Sequence, residues 1–497
     1  MTYRYMEVEK EIKAYFTEKA KAIKQILKEY EFEECTDSAC VNIILRIFPK
    51  SFISVFNAIW FYNSTNGIWK LEENELINIA ECIVPFWKNR IEKYSKEDNK
   101  NMVKALGFWV RKLSSTTGIQ SIKKYIIDKT SQNSMYDTFD NVNKNGLMFK
   151  NGWFNPDTGE IRPARQDEYV TKLIDFGFTN KSNEKVRKEL YDELLLKMFE
   201  NVEALDYYLK MVASCLNGNR MFEQFYILSG NGRNGKGTMD TLLQKVFCSY
   251  YKKIDVKNLT TIKKNANEHS SALAQCNGVR YLSTSEPESN ETLVVSKLKE
   301  YTGGDLVEAR QLFGKAFTYK PQFTITIQCN DKPNLSKLDK ATEKRVRIID
   351  FPFEFCDNPV HDYQKKASSN IKEKIEKNKD WHHEFMVILV EYYQKYIKGT
   401  KKTEIEKPVT IVNITKEYIE DNNPVLSFIQ QYYSYPEDNK ESDFWIQVKD
   451  IADTYNSYTN ETKINSRQMG QALRMNDFKN KKVKGNVHFR VGIFHDE

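Results

Sequence analysis

The sequence predicts a multidomain α/β protein, with a mostly helical N-terminal region, a core of strands and helices, and a small C-terminal domain. At 497 residues the chain is too long for one ordinary hydrophobic core. The run "FEQFYILS" at 222–229 suits a buried strand, and "MDTLLQKVF" shortly after it has helical spacing. Farther on, "QFTITIQ" at 322–328 alternates and is rich in β-branched residues, which predicts another strand.

The composition excludes several classes of protein. With 40% hydrophobic and 29% charged residues, the chain is ordinary globular material. No apolar run approaches the roughly 20 residues of a transmembrane helix, and the start, "MTYRYMEVEKEIKAYF", mixes acids and bases where a signal peptide is apolar. The eight cysteines are scattered without the paired spacing of a zinc site. We therefore expect a protein that works inside a cell, without a membrane partner and without zinc.

Turn signals and charge divide the chain into three predicted regions. The first 30 residues have the pattern of one amphipathic, highly charged helix, and more helical stretches follow. Asn-Gly and Asp-x-Gly signals predict a small β element near 139–175. A charged, proline-containing stretch at 398–411 predicts a linker. The predicted regions are 1–195, 196–397 and 398–497.

The stretch "SGNGRNGKGT" at 229–238 lies between the strand and the helix described above, which is the context of a phosphate-binding P-loop. Glycines let backbone amides approach the phosphates, and Lys236 would bind the β and γ phosphates of ATP. The pattern GxxxxGK[ST] fits except at its last position, where the chain has Gly237, so we expect Thr238 to supply the hydroxyl for Mg²⁺. The predicted nucleotide-binding residues are Gly230, Gly232, Asn234, Gly235, Lys236, Gly237 and Thr238. A glycine-rich turn that binds nothing is the alternative.

Three later segments supply the polar groups that ATP hydrolysis needs. "GVRYLSTSEPE" at 278–288 reads as a strand ending in carboxylates, of which we choose Glu286, with Glu288 second, to hold Mg²⁺ and polarise water. Asn330, just past the strand at 322–328, would face the γ phosphate. Arg345 and Arg347 precede or enter another apolar strand and could stabilise the transferred phosphoryl group. The alternatives are glutamates that cap the next helix and arginines that pair with nearby acids.

The tail "SRQMGQALRMNDFKNKKVKGNVHFRVGI" predicts a helix, a turn and two strands, with bases concentrated between the strands. Such residues would contact DNA phosphates and position the protein more than they would read sequence. A solvated basic hairpin is the alternative. A second basic run, "YYKKIDVKNLTTIKKNANEH", follows the P-loop helix. The predicted contacts in the tail are Arg467, Lys479, Lys481, Lys482 and Lys484.

This order of motifs resembles that of the superfamily 3 helicases, specifically the phage/plasmid and poxvirus type of primase-helicase ATPase. The matching stretches are "GNGRNGKGT", "RYLSTSEPE", "LKEYTGGDLVEAR", "CNDKP" and "KRVRIIDFPF". The segment at 139–171 looks like the one that precedes the motor in these proteins, and the tail from 421 is similar to their winged-helix-like C-terminal region. The resemblance covers roughly residues 60–497. Many relatives carry a primase domain ahead of the helicase, and residues 1–60 are too few to form such a domain.

The resemblance implies an AAA+-like P-loop ATPase that assembles as a ring, usually a hexamer, around DNA in the cytoplasm of a host cell. ATP and Mg²⁺ would lie between subunits, with Arg345 reaching the site from the neighbouring subunit. "FGKAFTYK" would form a hairpin in the channel, where Lys315 and Lys320 contact single-stranded DNA. Phe313 and Phe317 would be core residues that hold the hairpin down, and stacking on the DNA is the alternative. The C-terminal domain would hold duplex DNA, and a separate primase or polymerase would work with the ring.

Two further functions compete with a DNA helicase of a virus, phage or mobile element. An initiator or helicase loader would use the same ATPase to assemble on DNA without unwinding it, and strand displacement on a forked substrate separates the two. A P-loop enzyme for small molecules, such as a nucleotide kinase, would need a lid and arginines for its acceptor in place of the "TGGD" segment. DNA should not change the rate at which it hydrolyses ATP.

Overall fold

A computed structural model describes residues 35–495, apart from residues 65, 73, 133–137, 220–221, 262–270, 289–290, 311–315, 337, 437–438, 460–462 and 477. The described residues fall into two compact units, one from residues 1–179 and 308–319, the other from residues 180–307 and 320–497. The helix predicted over the first 30 residues lies outside the described part, as does Lys315.

The first unit combines a helical layer with two small three-stranded antiparallel sheets, and it includes most of a further strand pair at 307–319. Trp87 and Trp109 are fully buried in the helical core, with ring centroids 5.3 Å apart. The second sheet lies in the stretch for which the sequence predicts a β element. The helices are α1 (Asp37–Ile47), α2 (Glu75–Lys96), α3 (Lys100–Leu113) and α4 (Thr116–Thr130). The strands are β1 (Phe52–Val55), β2 (Ala58–Asn63), β3 (Ile68–Leu71), β4 (Leu147–Phe149), β5 (Gly152–Asn155) and β6 (Glu160–Arg162).

The rest of the chain alternates strands and helices. The helices are α5 (Glu184–Leu190), α6 (Leu196–Met198), α7 (Val202–Ser214), α8 (Lys236–Phe247), α9 (Lys257–Thr260), α10 (Ser271–Ala274), α11 (Val295–Thr302), α12 (Lys340–Glu343), α13 (Ile371–Lys377), α14 (Lys379–Tyr392), α15 (Val409–Asp421), α16 (Pro424–Tyr432), α17 (Val448–Tyr458) and α18 (Ser466–Met475). The strands are β7 (Phe225–Ser229), β8 (Tyr251–Ile254), β9 (Tyr281–Thr284), β10 (Thr292–Leu293), β11 (Val307–Arg310), β12 (Ala316–Tyr319), β13 (Thr324–Gln328), β14 (Asn334–Leu335), β15 (Val346–Asp350), β16 (Glu354–Cys356), β17 (Gln364–Lys366), β18 (Tyr433–Ser434), β19 (Trp445–Gln447), β20 (Asn480–Val483), β21 (Asn486–Arg490) and β22 (Ile493–Phe494).

Five parallel strands form the central sheet of the second unit, in the order β15, β7, β13, β9 and β8. All five residues of β7 are buried, because a parallel strand in mid-sheet is covered on both faces. Rings from the helices pack on the sheet, with Tyr207 of α7 against Tyr226 and Phe247 of α8 against Tyr281. Since the strands are parallel, the segments that follow β7, β9, β13 and β15 meet at one edge.

Helix α15 packs against this sheet although it follows the predicted linker. The hydroxyl oxygen of Thr415 accepts a hydrogen bond of 3.1 Å from the backbone N–H of Ile348, and the hydroxyl of Tyr418 donates to the carbonyl oxygen of Pro333 at 2.5 Å. No helix or strand forms between residues 399 and 408. The region boundary at 398 stays a prediction.

The last 75 or so residues build a small core of their own from three helices and a three-stranded antiparallel sheet. Strand β19 precedes α17, and α18 is followed by the hairpin β20–β21, with β21 in the middle of the sheet. Phe428, Met469 and Phe489 are buried in this core. The hairpin turns at Lys484 and Gly485, whose φ angles of 47° and 85° fit a tight two-residue turn.

Candidate functional site

The backbone conformation of the glycine-rich loop between β7 and α8 requires glycine at two positions. Gly230 and Gly235 have φ angles of 148° and 86°, in the region that side chains disfavour. A Cβ atom on Gly230 would lie 2.4 Å from the carbonyl oxygen of Phe351. The N–H of Phe355 donates to the carbonyl oxygen of Arg233 at 2.8 Å and fixes the far side of the loop. The loop therefore leads into the free backbone amides at the start of α8, a good place for an anion.

Lys236, the first residue of α8, is buried against the loop. Its ammonium group donates to the carbonyl oxygen of Gly230 at 2.5 Å and to the side-chain oxygen of Asn330 at 3.3 Å. Burial lowers the pKa of Lys236, while the negative charges of Glu286 and Asp350 partly oppose that change. Among the residues that the structure describes, no carboxylate pairs directly with this ammonium, so it is a fitting contact for phosphate oxygens.

Glu286 and Asn330 meet at the same edge of the sheet. A carboxylate oxygen of Glu286 accepts a hydrogen bond of 2.5 Å from the backbone N–H of Asn330, whose side chain in turn accepts from Lys236. The structure thus joins three residues that are separated by 44 and 94 positions along the chain. Glu288 belongs to a different contact, because its N–H donates to the carboxylate of Glu291 at 3.0 Å.

The first turn of α8 carries the departure from the P-loop pattern. A Cβ atom on Gly237 would meet nothing within 4 Å, so the position has room for a side chain. Within the part of the chain that the structure describes, the hydroxyl of Thr238 has no hydrogen-bond partner, whereas the hydroxyl of Thr241 donates to the carbonyl oxygen of Gly237 at 2.8 Å. Among the described residues no three His, Cys, Asp or Glu side chains cluster as metal ligands. One hydroxyl and one carboxylate suit Mg²⁺, which takes its other ligands from water and phosphate.

A cleft of about 650 Å³ opens beside the loop. This volume is in the range of pockets for small molecules. Phe355 supplies an aromatic surface. The lining also holds two acids, Glu193, whose carboxylate accepts from Lys374 at 2.7 Å, and Glu376. The basic residues that line the cleft are Lys197, Arg233, Lys366 and Lys372.

Sequence reasoning missed most of the cleft and one carboxylate near Lys236. The glycine-rich loop supplies one side of the cleft and was predicted, but the rest of the lining comes from 193–198 and 355–376, which share no local pattern that could mark them. Asp350 ends β15 and accepts a hydrogen bond of 3.0 Å from the hydroxyl of Ser229, which ends β7. The signal for that pair was available, because two adjacent parallel strands each end in a polar residue.

The two candidate arginines have different surroundings. The carbonyl oxygen of Arg345 accepts from the N–H of Phe225, the first residue of β7, so Arg345 lies at the amino edge of the sheet. Its guanidinium pairs with Glu223. The side chain of Arg347 is 4% exposed and forms an ion pair with Glu404. Neither arginine lies near Lys236. Lys236 is at the opposite edge of the central sheet, roughly 16 Å away along a five-residue strand.

The predicted DNA contacts lie on exposed surfaces. Lys320 is exposed just after β12, and Phe317 of β12 is buried with its ring 6.0 Å from that of Tyr319. In the second basic run, Lys253 pairs with Asp240 at 3.1 Å, and residues 262–269 lie outside the described part. The exposed residues of α18 and its hairpin include Arg467, Lys479, Lys481, Lys482 and Lys484.

Across the described residues, every helix is too short or too polar to cross a bilayer.

Comparison with known proteins relates the chain to viral replication proteins. Residues 41–200 match the family model described as "D5 N terminal like". The chain is 25% identical over 408 residues to "Putative helicase L207/L206" of Acanthamoeba polyphaga mimivirus, covering 76% of this chain and 41% of the relative. It is 21% identical to "Putative helicase V13" of Sputnik virophage, covering 79% and 52%, and 27% identical to "Putative primase C962R" of African swine fever virus, covering 41% and 21%. The chain thus spans about half or less of the length of these relatives.

Among solved structures, the apo structure of the NrS-1 C terminal region aligns with 64% of this chain and 78% of its own, with a TM-score of 0.39 and 12% identity. The structure described above is a multidomain α/β protein with a parallel sheet. In sequence, the chain is similar to D5-like viral proteins that are named as helicases or primases.

Proposed function

We propose that the protein is an ATP-dependent DNA helicase that works in the replication of a virus, phage or mobile element. The observation that carries this proposal is the hydrogen-bonded set of Lys236, Asn330 and Glu286 beside a glycine-rich loop at the carboxyl edge of a parallel sheet. The relatives named as putative helicases of viruses support a helicase, and the exposed basic residues of the C-terminal part favour DNA as its substrate.

In this proposal the loop is a P-loop that binds the ATP phosphates. The backbone amides of Gly232, Asn234, Gly235 and Gly237 surround the phosphate chain, with the start of α8 adding its partial positive charge. Lys236 exchanges its contacts with Gly230 and Asn330 for phosphate oxygens. The basic cleft with Phe355 lies where the rest of the nucleotide can bind.

Hydrolysis uses the three polar groups beside the loop. Glu286 orients and polarises the attacking water, and Asn330 bonds the γ phosphate and links its presence to Glu286 through the backbone contact. Thr238 and Glu286 would hold Mg²⁺, directly or through water. When bound, Mg²⁺ neutralises charge that develops on the phosphate oxygens.

The arginine of this mechanism comes from another copy of the chain. Arg345 lies at the edge of the sheet opposite the P-loop, so it cannot serve the ATP site of its own chain. A head-to-tail ring offers that edge to the next ATP site, and a hexamer of AAA+-like, superfamily 3 type fits this arrangement. Arg347 has no such role, because it is buried and paired with Glu404.

DNA contacts would come from two regions. Lys320, with Lys315, would follow single-stranded DNA in the channel, and the C-terminal helices and hairpin would act as a winged-helix domain on duplex DNA. A separate primase or polymerase would copy the unwound strands. The expected location of the protein is the cytoplasm of the host cell.

The deciding experiment measures ATP hydrolysis with and without single-stranded DNA, for the wild-type chain and for Lys236→Ala. We expect strong stimulation by DNA and its loss in the variant. Hydrolysis that DNA does not change would contradict the proposal. Strand displacement on a forked duplex then separates a helicase from an initiator or loader, which would hydrolyse ATP on DNA without releasing the strand.

A further inference from the structure

Helix α18 has one apolar face and one polar face. Met469, Gly470 and Leu473 are buried against the core of the C-terminal part. The opposite face exposes Arg467, Gln468, Gln471 and Arg474 at helical spacing. The helix is therefore held by its apolar face and presents a row of long polar side chains to the outside.

The exposed side chains are of the types that read DNA bases. Arginine bonds guanine through two parallel hydrogen bonds, and glutamine does the same with adenine. In the described part of the chain, the side chains of Arg467 and Gln471 are engaged by neither a hydrogen bond nor an ion pair. Gln468 instead closes the start of the helix, where its side-chain oxygen accepts from the N–H of Asn465 at 2.9 Å. Arg467 and Gln471 thus remain available to a ligand.

The surroundings of α18 favour a polyanion. Residues 463–495 contain eight Lys and Arg side chains and one acid, Asp477, whereas the whole chain has 75 against 68. In the hairpin β20–β21, the exposed Lys482 and Lys484 lie at or beside the turn, and Lys481 lies 4.1 Å above the ring of Trp445. Phosphate groups complement this charge, and a helix fits the major groove of B-DNA.

We propose that α18 reads the base sequence of duplex DNA in the major groove through Arg467 and Gln471, while the hairpin lysines hold the phosphate backbone. The inference rests on the DNA substrate of the proposed function, and it is independent of ATP hydrolysis. From Arg467 to Gln471 the helix rises about 6 Å, so the two side chains address adjacent or nearly adjacent base pairs. The C-terminal domain would then recruit the protein to particular sites.

The test is selection of bound sequences from a random duplex library by the full-length chain, without nucleotide. We expect the wild-type chain to enrich a short motif containing guanine and adenine. Arg467→Lys keeps the charge but loses the paired donors, and Gln471→Ala leaves the charge unchanged. Each should lower the preference for the enriched duplex over a scrambled one by about tenfold, with little change in affinity for the scrambled duplex.

A double substitution in the hairpin, Lys481→Ala with Lys482→Ala, should do the opposite. It should weaken binding to every duplex and reduce the slope of log affinity against log salt by about two, while the enriched motif stays the same. Lys416→Ala removes one charge from α15, where Lys416 pairs with Glu420 at 3.6 Å, and serves as the charge control.

Failure to enrich any motif would overturn the inference. So would an unchanged motif in both Arg467→Lys and Gln471→Ala, with thermal melting to verify that both variants fold. These outcomes are separable from failure of the proposed function: enrichment by a chain whose ATPase ignores DNA would contradict the helicase and leave the base-reading helix in place.

Discussion

At the scale of single residues, Glu286 and Glu288 form a matched pair of carboxylates two positions apart. Glu286 bonds the N–H of Asn330 at 2.5 Å, whereas the backbone of Glu288 joins a turn with Glu291. We expect Glu286→Gln to lower the turnover of ATP by about 100-fold or more, since the amide keeps the hydrogen bond but cannot polarise water. Steady-state kinetics measures the turnover. Binding of a fluorescent nucleotide measures the affinity for ATP, which should stay nearly unchanged.

Glu288→Gln is the control, with turnover expected within a few-fold of wild type. If Glu288→Gln were the damaging substitution and Glu286→Gln were harmless, the assignment of the catalytic carboxylate would be reversed.

Thr238 and Gly237 permit a rescue experiment on the Mg²⁺ ligand. Thr238→Ala should reduce Mg²⁺-dependent hydrolysis by at least about tenfold, because it removes the unengaged hydroxyl at the start of α8. Adding Gly237→Ser to that variant should restore part of the activity, since a Cβ atom on Gly237 would meet no atom within 4 Å. The measurement is hydrolysis rate against Mg²⁺ concentration.

Thr241→Ala is the matched control, because the hydroxyl of Thr241 is already bonded to the carbonyl oxygen of Gly237 one turn earlier. Full activity in Thr238→Ala at low Mg²⁺ would show that the metal takes its ligand elsewhere.

The arginines show where sequence reasoning reaches its limit. Arg345 and Arg347 are two positions apart, so the alternation of a strand assigns both to the same side and cannot distinguish them. The difference comes from Glu404, which approaches from a segment 57 residues later and pairs with Arg347. Lys236, Asn330 and Glu286, by contrast, could be brought together from the sequence, because each follows a strand whose pattern is clear and parallel strands share an edge.

At the scale of elements, the glycine-rich loop offers two glycines with opposite requirements. A Cβ on Gly230 would lie 2.4 Å from backbone at Phe351, with φ at 148°, while a Cβ on Gly232 would meet nothing within 4 Å. We expect Gly230→Ala to lower the free energy of unfolding by about 1–3 kcal/mol and Gly232→Ala to leave it nearly unchanged. Thermal unfolding of the two variants provides the comparison, and equal melting temperatures would contradict the loop geometry.

The elements themselves were predicted unevenly. Strands β7, β9, β13 and β15 lie inside the apolar stretches that predict them, and the helix and hairpin near the C-terminus follow the expected order. The packing of α15 on the sheet was not predictable. A charged, proline-containing stretch indicates a linker, but it does not indicate where the helix that follows it packs. The basic cleft has the same origin: Phe355, Lys197 and Lys372 become neighbours through packing between elements, not through spacing along the chain.

At the scale of the whole molecule, the proposed ATP site is incomplete in one chain. The P-loop edge of the sheet holds Lys236, Asn330 and Glu286 but no arginine from the opposite edge. On the proposed mechanism, a chain would hydrolyse ATP well only when a second copy supplies Arg345. Assembly and catalysis are then coupled, which is a property that neither the sequence pattern nor a single chain displays directly.

This coupling predicts that two inactive variants restore each other. Lys236→Ala cannot bind ATP productively but keeps Arg345, and Arg345→Ala keeps a working P-loop but offers no arginine to its neighbour. Each alone should lose nearly all DNA-stimulated hydrolysis, whereas mixed rings should regain activity, because on random assembly about one site in four joins an intact P-loop to an intact arginine. If the mixture, after subunits have exchanged, stays as inactive as its components, Arg345 does not act across the subunit boundary. Arg347→Ala is the contrasting variant. It removes a buried guanidinium that pairs with Glu404 inside the same chain, while Glu404 keeps its ion pair with Lys407 at 3.0 Å. Mixing with Lys236→Ala should therefore not restore the melting temperature that Arg347→Ala lowers.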